Sequence, residues 1–331
     1  MYDITLIPGD GIGPEVATAA RRIIDASGVK INWRVEDAGA AQIEKHGTPL
    51  PPQVIQAIKE TGVALKGPVT TPVGTGFRSV NVTLRQELDL YSNLRPAKNY
   101  PNIPSRYQNI DLVIVRENTE DLYAGVEHMV GKDAAESIKI FTREGCRRIL
   151  KFAFDYAVQN GRKRVTAVHK ANIMKCTDGM FLAEAREMAL QYPNLVFDDL
   201  IVDACCMNLV QNPEKYDVMV MPNLYGDIVS DLCAGLVGGM GVAPGANIGK
   251  QWSVFEAIHG SAPQIAGQNL ANPTALLLSG LMMLRHLGEQ EAAERIEGAL
   301  IQVMADPTQL TRDLGGQNGT REFADAVIAK L

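Results

Sequence analysis

Residues 2–15 read Tyr2-Asp3-Ile4-Thr5-Leu6-Ile7-Pro8-Gly9-Asp10-Gly11-Ile12-Gly13-Pro14-Glu15. An apolar run enters a glycine-rich loop, and Pro14 then opens a helical pattern that stops near Gly28. Proline suits the first helical turn because its missing N–H has no partner there in any case. Strand, glycine loop and helix in that order predict an α/β fold and invite comparison with the dinucleotide fingerprint GxGxxG. The comparison fails. The third glycine comes one residue early, and Pro14 occupies the place where it should stand. No acidic residue closes a clean second strand at the usual spacing, although Glu36 and Asp37 come near. The fold is therefore read as α/β but not Rossmann.

The same alternation continues outward. Residues 31–36 read as a strand and 52–60 as a helix. Further on, 112–115, 165–168, 195–202 and 217–221 read as strands, while 143–159, 178–190 and a segment from Leu224 read as helices. From Asn272 onward the pattern is mainly helical. This predicts strands covered by helices on both sides. Residues 121–142 depart from it, with Gly125, Gly131 and a β-like Ser137-Ile138-Lys139-Ile140. They form either an arm that pairs with a second subunit or a surface hairpin.

A chain of 331 residues suggests two domains or one large one. The net charge of −6 argues against a nucleic-acid partner, which would favour a basic face. The run Arg162-Lys163-Arg164 reads as a solvated turn. The uncharged stretch 232–249 is interrupted by glycines and Pro244, and the apolar run 274–284 is short, so no membrane span is expected. The chain begins without a secretory pattern, and its five cysteines form no CxxC pair. Both features lead to the expectation of reduced cysteines in a cytoplasmic protein.

Several side chains could carry chemistry. Asp227 and Asp231 stand four apart, on one face of a helix if the segment is helical. With Asp203, they could offer hard oxygen ligands to Mg²⁺ or Mn²⁺. Equally, Asp227 could be a first-turn carboxylate favoured by the helix dipole and Asp231 a solvated one. Arg85, Arg95 and Arg116 arise in separate segments, and a guanidinium grips a carboxylate bidentately without losing its charge. Converging, they would suit a small polyanion; singly, each would be a surface ion-pair residue. Lys170 follows a strand, where a metal or other cations could lower its pKa and make it a base. Tyr123 could relay a proton. The loop His259-Gly260-Ser261-Ala262-Pro263 precedes Asn272-Pro273 at a helix start, a place where backbone can approach a phosphate.

Together these segments resemble the isocitrate and isopropylmalate dehydrogenase family of metal-dependent, decarboxylating β-hydroxyacid dehydrogenases. The resemblance runs end to end. It rests on Ile7-Pro8-Gly9-Asp10-Gly11-Ile12-Gly13, Asn93-Leu94-Arg95-Pro96, Arg116-Glu117-Asn118-Thr119-Glu120, His169-Lys170-Ala171-Asn172-Ile173-Met174-Lys175, the Asp227/Asp231 stretch, His259-Gly260-Ser261-Ala262-Pro263 and Arg312-Asp313-Leu314-Gly315-Gly316. It implies two α/β domains flanking a cleft. A large cofactor-binding domain would comprise 1–90 and 238–331, and a small domain with the dimer interface 91–237, including 121–142 as an arm or clasp. Arg85, Arg95 and Arg116 would bind substrate carboxylates, and Asp203, Asp227 and Asp231 would hold the metal. Lys170 would serve as, or assist, the base that takes the hydroxyl proton, and Tyr123 would protonate the enol. In a homodimer with shared sites, Lys170 and Asp203 would come from the neighbouring subunit.

The resemblance also bears on substrate and cofactor. Ser79 and Asn81, two apart just before Arg85, match members that take isocitrate. Isopropylmalate enzymes carry apolar residues there, and homoisocitrate enzymes an extra arginine. NADP-using members place Lys then Tyr after the His-Gly-Ser-Ala-Pro loop, whereas this chain has Gln264 and Ile265, which favours NAD. The cofactor residues implied are His259, Gly260, Ser261, Ala262, Gln264, Ile265, Asn272 and Asp313. Oxidation of 3-isopropylmalate or homoisocitrate, and a non-catalytic regulatory subunit, are the rival readings.

Overall fold

The computed structural model describes residues 1–70 and 78–331. Its strands are β1 (Tyr2–Ile7), β2 (Ile31–Val35), β3 (Val63–Lys66), β4 (Ser92–Lys98), β5 (Asp111–Glu117), β6 (Glu127–Val130), β7 (Ala134–Ser137), β8 (Arg164–His169), β9 (Val196–Ile201), β10 (Val218–Met221), β11 (Pro244–Ile248) and β12 (Ser253–Ala257). Ten of them form one sheet in the order β2-β1-β3-β12-β11-β4-β5-β10-β8-β9. Strands β2, β1, β3 and β12 are mutually parallel, as are β5, β10, β8 and β9. The two parallel sets run in opposite directions and meet across the antiparallel pairings of β11 and β4.

The apolar runs that predicted strands are buried on both faces. In β5, Val113 and Val115 join one core with Val218 and Val220 of β10, and with Ile149, Phe154 and Phe181 of the helices Arg143–Gln159 and Thr177–Ala189. Leu112 and Ile114 turn to the other core, with Met219, Met221, Cys205, Leu209 and Val229 from β10 and the helices Val202–Gln211 and Asn223–Leu236. This alternation with a period of two is what helices on both faces of a sheet require. The five cysteines are free, and three of them are buried. Among the described residues, no helix is long and apolar enough to cross a membrane.

Two expectations are corrected. Residues 137–140 are not a strand: β7 ends at Ser137, and Ile140 forms only an isolated bridge with Asp121. The strand expected over 195–202 stops at Ile201, and Asp203, which follows it, sits in the first turn of helix Val202–Gln211. The glycine-rich loop also has a structural purpose. A Cβ on Gly11, whose φ is +59°, would lie 1.9 Å from the Ser261 carbonyl oxygen. That carbonyl instead accepts from Ile12 N at 2.8 Å, so the loop after β1 lies directly against the loop after β12.

Helix Arg143–Gln159 is capped by Thr142, whose hydroxyl accepts from Gly145 N at 2.9 Å. Thr142→Ala removes that acceptor and should cost about 1 kcal/mol of stability, as N-cap losses do. An unchanged denaturant midpoint would show that another group satisfies the Gly145 N–H.

Candidate active site

Arg116 is the penultimate residue of β5 and is 1% exposed. Its Nε donates to Asn223 Oδ1 at 2.9 Å and its Nη1 to Asp227 Oδ1, both on helix Asn223–Leu236. Gly226 permits this approach, since a Cβ there would come 2.4 Å from Arg116 Cγ. The third guanidinium nitrogen, Nη2, is buried with no partner among the described residues. A buried charged donor left open in this way is suited to an incoming anion.

Arg95 lies in β4, antiparallel to β5. Its Nε donates to Asn93 Oδ1 at 2.6 Å and its Nη1 to Ser230 Oγ at 2.5 Å. The same Nη1 lies 3.5 Å from Asp227 and 3.4 Å from Asp231. Arg85, on helix Val80–Glu87, donates from Nε to Asn247 Oδ1 at 3.2 Å and faces Glu256 at 3.6 Å. The three arginines thus gather from separate segments. Burial and the charges of Arg85 and Arg95 lower the Arg116 pKa, although a guanidinium keeps its proton at neutral pH.

Tyr123 stands in a short 3₁₀ turn and donates its hydroxyl to Asp227 Oδ2 at 2.5 Å. The Arg116 guanidinium lies 5.0 Å from the centroid of its ring. Burial and the Asp227 contact raise the phenol pKa, so it is a protonated acid at neutral pH. Burial alone would raise Asp227 too, but Arg116, the Tyr123 hydroxyl, Arg95 and Arg85 outweigh it and hold the carboxyl below its usual range. Burial raises Asp231, with the Asp227 charge adding to the effect and Arg95 opposing it. Asp227 and Asp231, a turn apart on one helix and sharing Arg95, are hard oxygen donors of the kind Mg²⁺ or Mn²⁺ takes. The fit to a divalent cation is good but incomplete. Among the described residues, no group of three or more acidic, His or Cys side chains is placed to hold a metal ion within one chain.

Asp203 is not brought to Asp227 and Asp231 within one chain. It pairs with Lys170, and its side chain is 69% exposed. Ser79 precedes helix Val80–Glu87 and makes no capping hydrogen bond with its side chain. Asn81 Oδ1 is buried without a partner among the described residues. Polar groups therefore remain available beside Arg85.

The loop after β12 carries the expected cofactor residues. His259 Nδ1 faces Gly260 O at 3.0 Å, and burial lowers its pKa and leaves it neutral at physiological pH. Ser261 Oγ meets Thr70 Oγ1 at 2.6 Å, and Ala262 is left-handed with φ 36°. Gln264 is exposed, and Ile265 is partly buried against the core. Asn272 donates to Asp313 Oδ2 at 3.0 Å, which ties the start of helix Thr274–His286 to the turn Arg312–Leu314. Asn223, Ser230, Asn93, Asn247 and Glu256 hold the arginines, yet the sequence reading assigned none of them a role. Asn223, Ser230 and Asn93 stood inside motifs already noted. Glu256 offered a signal, a charged residue within the apolar run Val254-Phe255-Glu256-Ala257, whereas Asn247 sits in a proline- and glycine-containing segment that gave none.

The family model for isocitrate/isopropylmalate dehydrogenase matches residues 3–327. "Isocitrate dehydrogenase [NAD] catalytic subunit 5, mitochondrial" of Arabidopsis thaliana is 51% identical over 328 residues, covering 99% of this chain and 88% of the relative. A chloroplastic 3-isopropylmalate dehydrogenase of Solanum tuberosum is 50% identical over 302 residues, covering 91% of this chain and 85% of the relative. The crystal structure of isocitrate dehydrogenase from Methylococcus capsulatus superposes with a TM-score of 0.97 at 52% identity, covering 100% of this chain and 99% of that one. The isocitrate dehydrogenase subunits among the curated relatives are named as mitochondrial proteins, which overturns the expectation of a cytoplasmic one. Reduced cysteines fit any reducing compartment and could not have separated the two. Those subunits are variously named catalytic, alpha and regulatory, so similarity leaves both the homodimer and the catalytic role open.

Proposed function

The chain belongs to the isocitrate/isopropylmalate dehydrogenase family, and from that premise we propose that it oxidises isocitrate with NAD and decarboxylates it to 2-oxoglutarate. The observation that carries this reading is the buried Arg85–Arg95–Arg116 group around Asp227, with one guanidinium nitrogen open and the Tyr123 hydroxyl beside it.

In this mechanism the three arginines bind the substrate carboxylates and hold the hydroxyl-bearing carbon in register. Ser79 and Asn81 contact the distal carboxylate at the start of helix Val80–Glu87, where the dipole favours an anion. Lys170 takes the hydroxyl proton as hydride leaves that carbon for the nicotinamide. Asp227, Asp231 and Asp203 are the proposed ligands of Mg²⁺ or Mn²⁺, which would supply Lewis-acid polarisation of the new carbonyl. Tyr123 gives its proton to the carbon that CO₂ has left and recovers one from solvent.

Lys170 and Asp203 contact each other rather than Tyr123 or Asp227 within the chain, so a second copy is proposed to contribute them. The β6–β7 hairpin, which exposes Met129 and Val130, is the proposed arm between the copies. The division into domains 1–90 with 238–331 and 91–237 is supported by the two oppositely directed strand sets.

The potato relative favours a second reading, oxidation of 3-isopropylmalate. Ser79 and Asn81 speak against it, because an isopropyl group would leave them without partners. A panel of isocitrate, 3-isopropylmalate and homoisocitrate separates these readings. Isocitrate should lead in kcat/KM, and a lead for 3-isopropylmalate would overturn the assignment.

His259, Gly260, Ser261, Ala262, Gln264, Ile265, Asn272 and Asp313 are the proposed NAD contacts. Gln264 and Ile265 offer no cation to a 2′-phosphate. NAD should therefore exceed NADP in kcat/KM by at least about tenfold, the scale of one missing charge-assisted hydrogen bond. Gln264→Lys combined with Ile265→Tyr should narrow that ratio. An unchanged ratio would place the discrimination elsewhere.

A further inference from the structure

Asn247, in the middle of β11, is 2% exposed and makes more side-chain hydrogen bonds than a carbonyl oxygen and an amino group usually support. Its Oδ1 accepts from Arg85 Nε at 3.2 Å, Asn93 Nδ2 at 2.7 Å and Asn118 Nδ2 at 3.0 Å. Its Nδ2 donates to Glu256 Oε1 at 2.7 Å and to Val254 O at 3.3 Å. An amide oxygen has two lone pairs, so three donors converging on it must take their positions from it.

The position in the sheet explains the reach. Asn247 lies opposite Asn93 across β11 and β4, and Asn93 lies opposite Arg116 across β4 and β5. Asn93 in turn accepts from Arg95 Nε at 2.6 Å. One amide therefore touches Arg85 directly, reaches Arg95 through Asn93, and meets the chain just beyond Arg116 through Asn118. These contacts cross the junction where the two strand sets meet.

The orientation of the amide is itself determined. Glu256 faces Lys66 Nζ at 2.6 Å and Arg85 Nη2 at 3.6 Å. Burial would raise its carboxyl, but Lys66 and Arg85 outweigh burial and hold it at about 2. An ionised Glu256 accepts and cannot donate, so the amino end of Asn247 must face it and the oxygen must face the arginines.

We infer that Asn247, oriented by Glu256, is a positioning residue that sets the spacing of Arg85 and Arg95 for substrate carboxylates. The inference rests on the proposal that these arginines bind isocitrate. It predicts a specific kinetic signature. Asn247→Ala leaves three donors without their acceptor, and its KM for isocitrate should rise about tenfold or more, while KM for NAD stays within about twofold. Asn93→Ala removes only the Arg95 branch and should raise the isocitrate KM by a smaller factor.

The test is steady-state kinetics of the full chain with saturating Mg²⁺, alongside thermal unfolding of each variant. A purely structural role would lower Tm and the active fraction but leave both KM values unchanged, and that outcome would overturn the inference. If Asn247→Ala does not fold, Asn93→Ala decides: an isocitrate KM within about twofold of the parent would refute the relay. A parent active on 3-isopropylmalate but inert toward isocitrate would overturn the substrate reading instead. The KM for that acid would then judge the role of Asn247.

Discussion

Asp227→Asn is expected to lower kcat/KM for isocitrate by about a thousandfold, with the protein still folded. The substitution preserves shape and removes one charge. Asp227 accepts from Arg116, from Tyr123 and, more distantly, from Arg95. Hydrogen bonds to charged groups contribute about 1.5–3 kcal/mol each, so weakening two of them accounts for roughly three orders of magnitude. The proposed metal loses a carboxylate ligand as well. Arg116 would keep Asn223 but lose its only ion-pair partner among the described residues while remaining 1% exposed. Turnover within about tenfold of the parent would show that the arginine cluster is held without Asp227.

Tyr123→Phe should reduce kcat about a hundredfold and leave the isocitrate KM within about threefold, the pattern of a lost proton donor. The ring would keep its place against Arg116, since that contact needs the aromatic face and not the hydroxyl. What disappears is the acid held in its protonated form by burial and by Asp227. A phenylalanine variant with the parent's kcat would reduce Tyr123 to a spacer. A matching rise in KM would assign it to substrate binding.

How much of this was legible in the sequence varies with the physics. Strands β1, β5 and β10 are apolar runs buried on both faces, and composition alone reveals such runs. Strands β4 and β11 are not apolar. Ser92-Asn93-Leu94-Arg95-Pro96-Ala97-Lys98 and Pro244-Gly245-Ala246-Asn247-Ile248 carry proline, glycine and polar residues that score poorly as strand. They are strands because each finds a partner on both sides, a tertiary effect that no local window contains. The same pairing brings Arg95 and Arg116 within reach of one helix, which explains why the arginines could be named singly and not shown to converge. Asp227 and Asp231 were visible because a helix places i and i+4 together. Asp203 could be named as a third carboxylate because it follows an apolar run, but no local pattern places it near the other two, and within one chain it stays paired with Lys170.

The most direct test of the central claim is NAD reduction by the purified chain alone, with isocitrate and with Mg²⁺ or Mn²⁺ added to or withheld from the reaction. Metal-dependent formation of NADH and 2-oxoglutarate in equal amounts, without any other subunit, is expected. Folded, metal-loaded protein that binds isocitrate but forms neither product would contradict that claim and identify the chain as a regulatory subunit.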